Sequence, residues 1–169
     1  MERRIYTPIE YIESEMTRPV IFLAGPIQGA LDWQSQAIKT ISKHSRYTVV
    51  ANPRRKYLEG TFDYGQQVDW ETFHLRRAGE NGAIMFWLPK ESHKITGRAY
   101  TQTSRIELGE WKIRHEKEGA RLVIGIERGF SGERYIRRRF AQDCPEVPIL
   151  DNLEETCLTV VKLVRKSLI

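Results

Sequence analysis

Cysteine is scarce. The 169 residues hold two, Cys144 and Cys157, with no metal-ligand spacing and no partner motif around them. Two lone cysteines suit a reducing compartment, where a thiol behaves as a small hydrophobe, and they exclude a disulfide scaffold. The four histidines, His44, His74, His93 and His115, are scattered without ligand spacing, so no metal site is expected. No apolar run reaches the roughly 18 residues of a membrane span. The opening segment "MERRIYTPIEYIESEM" lacks an apolar signal core and is too acidic for a transit peptide, so a cytoplasmic protein is expected. There is no GxGxxG after a strand and no Walker lysine, which excludes the usual dinucleotide and P-loop sites. Internal repeats, low-complexity tracts and domain linkers are also missing.

What is present is the composition of a globular domain, 40% hydrophobic and 29% charged, with a core of ordinary size. The formal charge of +5 comes from 27 basic and 22 acidic residues. The basic excess gathers in short clusters: Arg54-Arg55-Lys56, Arg76-Arg77, and Arg134 with Arg137-Arg138-Arg139. Such clusters serve an anionic substrate, a nucleic acid, or simply a solvated face.

Apolar runs alternate with helical patterns. "PVIFLAG", "YTVVAN", "AIMFWLP", "RLVIGIE" and "VPIL" read as five strands. Helices are expected from Asp32 to about Ser45, from Gln66 to Ala78, from the stretch "TQTSRIELGEW" to Glu118, over "SGERYIRRRFAQ", and after a cap formed by Asp151 with Glu154. Continuously apolar strands between helices imply an α/β, three-layer fold with a parallel sheet covered on both faces. Five strands suggest the flavodoxin-like (Rossmann-like) order 2-1-3-4-5, with the site beyond the carboxyl ends of the strands. That rule selects the loops 25–29, 90–103 and 128–135.

Glu107 lies beside the second of these loops. Ser104-x-x-Glu107 has the spacing of a capping box, in which the glutamate bonds back to the cap residue. The same position suits a nucleophile: near a helix start a carboxylate stays ionised and can attack an electrophilic sugar carbon. Arg105 can hold that charge or bind a substrate anion, or stand as an ordinary surface arginine. "AGP" after the first strand offers Gly25 where a ligand can approach the backbone. Tyr64, Trp70, Phe86 and Trp87 fall near strand ends, where aromatics can stack on a nucleobase while Asp69 or Glu71 bonds its edge. Core packing and solvation account for the same residues.

The ordered set "VIFLAGPIQGALDWQSQAI", "VDWE", "MFWLPKE", "TSRIELGEW" and "LVIGIERG…RYI" resembles the nucleoside 2-deoxyribosyltransferase-like family from about Pro19 to the final helix. Residues 1–18 stand outside the likeness as an N-terminal extension, with 19–169 as the domain. The resemblance implies cleavage of the N-glycosidic bond of 2′-deoxynucleosides, with Glu107 attacking the anomeric carbon. Another base then captures the sugar, or water does. Hydrolysis of deoxynucleoside 5′-monophosphates, or a non-catalytic nucleotide-sensing role, are the alternatives. On this likeness Glu107, Glu71 and Arg105 form the catalytic set, with Glu71 or Glu80 as general acid. Gly25, Pro26, Ile27, Trp70, Trp87 and Thr103 would meet the substrate. It further implies no metal or organic cofactor and a homo-oligomer, with nucleic acid and membrane not expected as partners. Arg134 and Tyr135 become candidates for a 5′-phosphate contact. Three positions depart from the family's transferases: Gly82 stands for an aspartate before the third strand, Thr101 for a second aspartate, and Ile21 for a strand tyrosine, which Tyr64 or Tyr100 would replace.

Overall fold

A computed structural model of the chain describes residues 4–55, 60 and 62–165. Lys56, in the first basic cluster, lies outside the described residues. The elements run β1 (Ile5–Tyr6), β2 (Val20–Ala24), α1 (Trp33–His44), β3 (Val49–Ala51), α2 (Tyr64–Glu80), β4 (Gly82–Leu88), α3 (Gln102–Glu118), β5 (Leu122–Ile126), α4 (Glu133–Asp143), β6 (Ile149–Leu150) and α5 (Leu153–Arg165).

All strand pairings are parallel, in the order β1-β3-β2-β4-β5-β6. The five expected strands take their expected order, and β1 adds a sixth at the edge. It pairs Ile5 with Val50 and Tyr6 with Ala51. Alternation along the buried strands divides the core. Val20, Phe22 and Ala24 join Trp70, Leu108, Trp111 and Phe140 beneath α2, α3 and α4. Ile21 and Leu23 join Trp33, Ile41, Cys157 and Val161 beneath α1 and α5. A strand buried on both faces must be apolar at every position, which is why the strands read as unbroken hydrophobic runs. Among the described residues no helix is long and apolar enough to cross a membrane.

The segment before β2 packs on the same core, with Tyr6, Ile12 and Met16 buried. His74, fully buried on α2, accepts from the Ile12 amide at 3.3 Å and bonds the Trp70 carbonyl at 2.8 Å. The Trp70 indole donates to the Glu10 carbonyl at 2.7 Å.

Helix starts differ in kind. Asp32 accepts from the Ser35 amide at 3.1 Å, as its sequence position suggests, and Asp63 caps α2 through the Gln66 amide at 2.8 Å. The last helix is capped by Asn152, whose Oδ1 accepts from the Glu155 amide at 2.8 Å, and not by Asp151 with Glu154. Asp151 pairs instead with Arg137 at 2.5 Å. The cap position of α3 is Thr101, left-handed with φ 59° and making no side-chain cap bond. Ser104 and Glu107 are therefore the third and sixth residues of α3, and no capping box forms.

Candidate active site

Beyond the carboxyl ends of β2, β3 and β4 lies a pocket of about 750 Å³. That is ample for a nucleoside-sized ligand. One wall is the loop Gly25–Ala30 after β2, and another comes from Arg54, Arg55 and the first half of α2. The loop from Glu91 to Thr101 and the opening turns of α3 complete it.

Gly25 is required where it stands. With φ at 148°, a Cβ there would collide with the Trp87 carbonyl, so only glycine lets β2 end beside β4. The loop that follows is fastened by polar contacts. The Trp33 indole donates to the Pro26 carbonyl at 2.9 Å. Arg54 donates to Gln34 at 2.8 Å and to the Ile27 carbonyl at 3.1 Å, and stands 3.3 Å from Asp32. Ser92 donates to the Gly29 carbonyl through its amide at 2.8 Å and its hydroxyl at 2.9 Å, tying the loop after β4 to the loop after β2. The half-buried Tyr100 hydroxyl donates to the Pro89 carbonyl at 2.7 Å, and desolvation pushes its ionisation up.

Two carboxylates line this pocket from different helices: Glu71 from α2 and Glu107 from α3. Burial pushes the Glu107 carboxyl up to about 8, helped by the charges of Glu71 and then Glu110. The expectation that a helix dipole keeps Glu107 ionised is thus overturned: it sits in the second turn, where desolvation and like charge outweigh the helix terminus. Burial also raises Glu71, against the Gln67 amide that donates to it at 2.7 Å. Near neutral pH Glu107 therefore keeps its proton.

The sequence candidates separate clearly in space. Gly25, Pro26, Ile27, Thr103, Glu71 and Glu107 all line the pocket. Trp70 does not; it is completely buried, with its ring 6.1 Å from that of Phe22. Trp87 is 6% exposed and packs in the core on the α1–α5 face, so it offers no ring to the cavity. Arg105 is also absent from the lining. Its guanidinium turns away to Ser131 and the Phe130 ring. Exposed Glu80 and Gly82 lie at the opposite rim of the sheet, so Glu80 is no candidate acid. At Gly82 a Cβ would collide with the Val20 backbone, so no side chain can stand there. Arg134 and Tyr135 border a separate shallow groove at the start of α4.

Sequence reading missed Gln67, His93 and Arg98, which line the pocket; Arg55, Tyr64 and Tyr100, raised from the sequence for other contacts, line it as well. The four-residue spacing of Gln67 and Glu71 on one helix was the available signal for the first contact of that pair. Among the described residues, no three histidine, cysteine, aspartate or glutamate side chains gather as metal ligands.

A flavodoxin-like α/β protein with paired carboxylates in a nucleoside-sized pocket at the sheet's switch point is the class that fold and site define. The model of the nucleoside 2-deoxyribosyltransferase-like family matches residues 18–130, well over half of the sequence. The chain belongs to that family. No curated protein matches it.

Proposed function

We propose that the protein cleaves the N-glycosidic bond of 2′-deoxynucleosides through a covalent deoxyribosyl–Glu107 intermediate, passing the sugar to a second base or to water. The observation that carries this reading is the convergence of Glu107 and Glu71 on one pocket, with burial raising both carboxyls. The chemistry needs one negative charge to attack the anomeric carbon and one proton for the departing base, and a singly protonated carboxylate pair supplies both.

In the forward step a Glu107 oxygen bonds to C1′ as the C1′–N bond breaks, and the bonding electrons leave with the base. Glu71 delivers the proton that the base nitrogen requires. Glu107 must be ionised for attack, so its proton passes to Glu71 as the electron-poor sugar draws charge toward Glu107. In the second half-reaction an acceptor base, or water, displaces the Glu107 ester and returns a proton to Glu71. The missing 2′-hydroxyl leaves the glycosidic bond labile, which keeps the demands on the site modest.

A second reading is favoured by Arg54, Arg55 and Arg98, three guanidinium groups on the wall of the same pocket. They suit a deoxynucleoside 5′-monophosphate whose phosphate meets one of them, with water as the acceptor. Free base is the shared readout. Wild type and Glu107→Ala are incubated with deoxynucleosides and their 5′-monophosphates, with and without adenine, and base is followed by chromatography. Release by wild type, reduced at least about 1,000-fold in Glu107→Ala, is expected for a lost nucleophile. A new nucleoside in the adenine lanes identifies a transferase, and preference for the monophosphate identifies the hydrolase. A folded wild type that binds nucleotide and releases no base defeats both and leaves a sensing role.

A further inference from the structure

Arg105 stands beside the catalytic pocket without facing it. Its Nε donates to the Thr101 hydroxyl at 2.9 Å and its Nη2 to the Ser131 carbonyl at 2.6 Å. The guanidinium lies over the Phe130 ring, 4.7 Å from the ring centre. Gly132 makes room for it, since a Cβ there would come within 3.0 Å of Nη1. One side chain thus joins the start of α3 to the loop between β5 and α4.

Its partner is an unusual residue. Thr101 is β-branched, 6% exposed and left-handed, with φ at 59°. Such a conformation costs about 1–3 kcal/mol and persists only where the surroundings hold it. Arg105 holds it twice, because its backbone amide also donates to the Thr101 carbonyl at 3.0 Å. Thr101 is at once a wall of the pocket and the residue from which α3 departs, and Glu107 is carried on that helix.

We propose that Arg105 is a positioning residue: by clamping left-handed Thr101 to the Phe130–Gly132 loop, it sets the direction of α3 and so the aim of Glu107. This deepens the reading of Glu107 as nucleophile, and its kinetic test rests on that reading. A misplacement of about 1 Å in a reacting group costs up to about 100-fold in rate while leaving binding groups in place.

Arg105→Gln removes the clamp, and Arg105→Lys keeps the charge over Phe130 but lacks the planar fork. In both, kcat for base release is expected to fall about 10- to 100-fold with KM held within about twofold. Thr101→Gly relieves the strain and deletes the hydroxyl, so on that background Arg105→Gln should cost clearly less. A KM effect without a kcat effect, an unchanged kcat in the folded variants, or equal costs on both backgrounds overturns the proposal. Deuterium uptake by the amides of residues 102–107 separates this inference from the activity itself. Faster exchange there in Arg105→Gln, with the rest of the chain unchanged, supports the clamp even if the wild type releases no base; unchanged exchange overturns it.

Discussion

At Glu107 a single carboxyl group links site and stability. Its proton is held up to about 8 in the folded protein, against an ordinary value near 4.5 once unfolded. Between those values the folded state binds more protons than the unfolded state, so stability falls as pH rises through that window and is flat above it. The loss amounts to a few kcal/mol at most, because the pocket is open to water on one side. Melting temperature measured from pH 5 to pH 9 should decline in wild type and decline much less in Glu107→Gln, which becomes the more stable protein at pH 9. Equal slopes would show that Glu107 is not the group concerned. The same proton predicts that kcat/KM falls as pH rises through about 8, where the pair loses the proton that the departing base requires; in Glu71→Gln, which lacks that acid, the residual activity should not show this fall. Residues such as Glu107 and Gly25 were legible in the sequence because they carry chemistry or backbone freedom of their own. Thr101 was not: nothing in a threonine announces a left-handed backbone, which here is imposed by Arg105 and the loop beyond it.

Among the elements, α2 and α3 matter most, since each brings one carboxylate to the pocket. Gly79 on α2 lies against the ring of Trp111 on α3, and a Cβ there would stand 2.5 Å from the nearest ring atom. Trp111 is 3% exposed and has little room to yield. Gly79→Ala should therefore destabilise the protein by about 1–3 kcal/mol despite alanine's better helix propensity. Denaturant unfolding checks this; a stabilised variant would mean that the ring moves aside freely. Base release should drop as well where α3 shifts to relieve the overlap, because it carries Glu107 with it. The helices themselves were readable from their periodicity, and Asp32 from its capping position. The strands were located correctly, but their faces were not. A run such as "AIMFWLP" is apolar throughout, so only the sheet register assigns Trp87 to the α1–α5 side and away from the ligand. Trp70 misled for a related reason: an aromatic in a helix that borders the pocket can point to the core, as this one does.

Across the whole molecule, the parallel order of the sheet brings the loops after β2, β3 and β4 to one rim, and the pocket follows from that order. The strand pattern made the central part of this legible. The edge was not, because Ile5–Tyr6 is too short to show any periodicity and gains its structure only from pairing with β3. The segment from Arg4 to Arg18 is nonetheless built into the fold, with Ile12 bonded to buried His74. Burial lowers the His74 ring to about 4, so it stays neutral near pH 7 and accepts from the Ile12 amide. Unfolded, the ring titrates near 6.5, so this contact contributes stability that is lost as pH falls from there toward 4. Melting in His74→Gln should depend less on pH over that acid range, and an unaltered acid slope would contradict the assignment.

The two residues of β1 also act as a guard. Without them, the outer backbone of β3 would show a Val-Val-Ala edge with unpaired amides and carbonyls, a template on which a second molecule could add a strand. A chain shortened to begin at residue 18 should therefore self-associate as well as melt earlier, with scattering that grows with protein concentration. The opening residues, which carry none of the pocket's chemistry, would then be what keeps each copy of the sheet to itself.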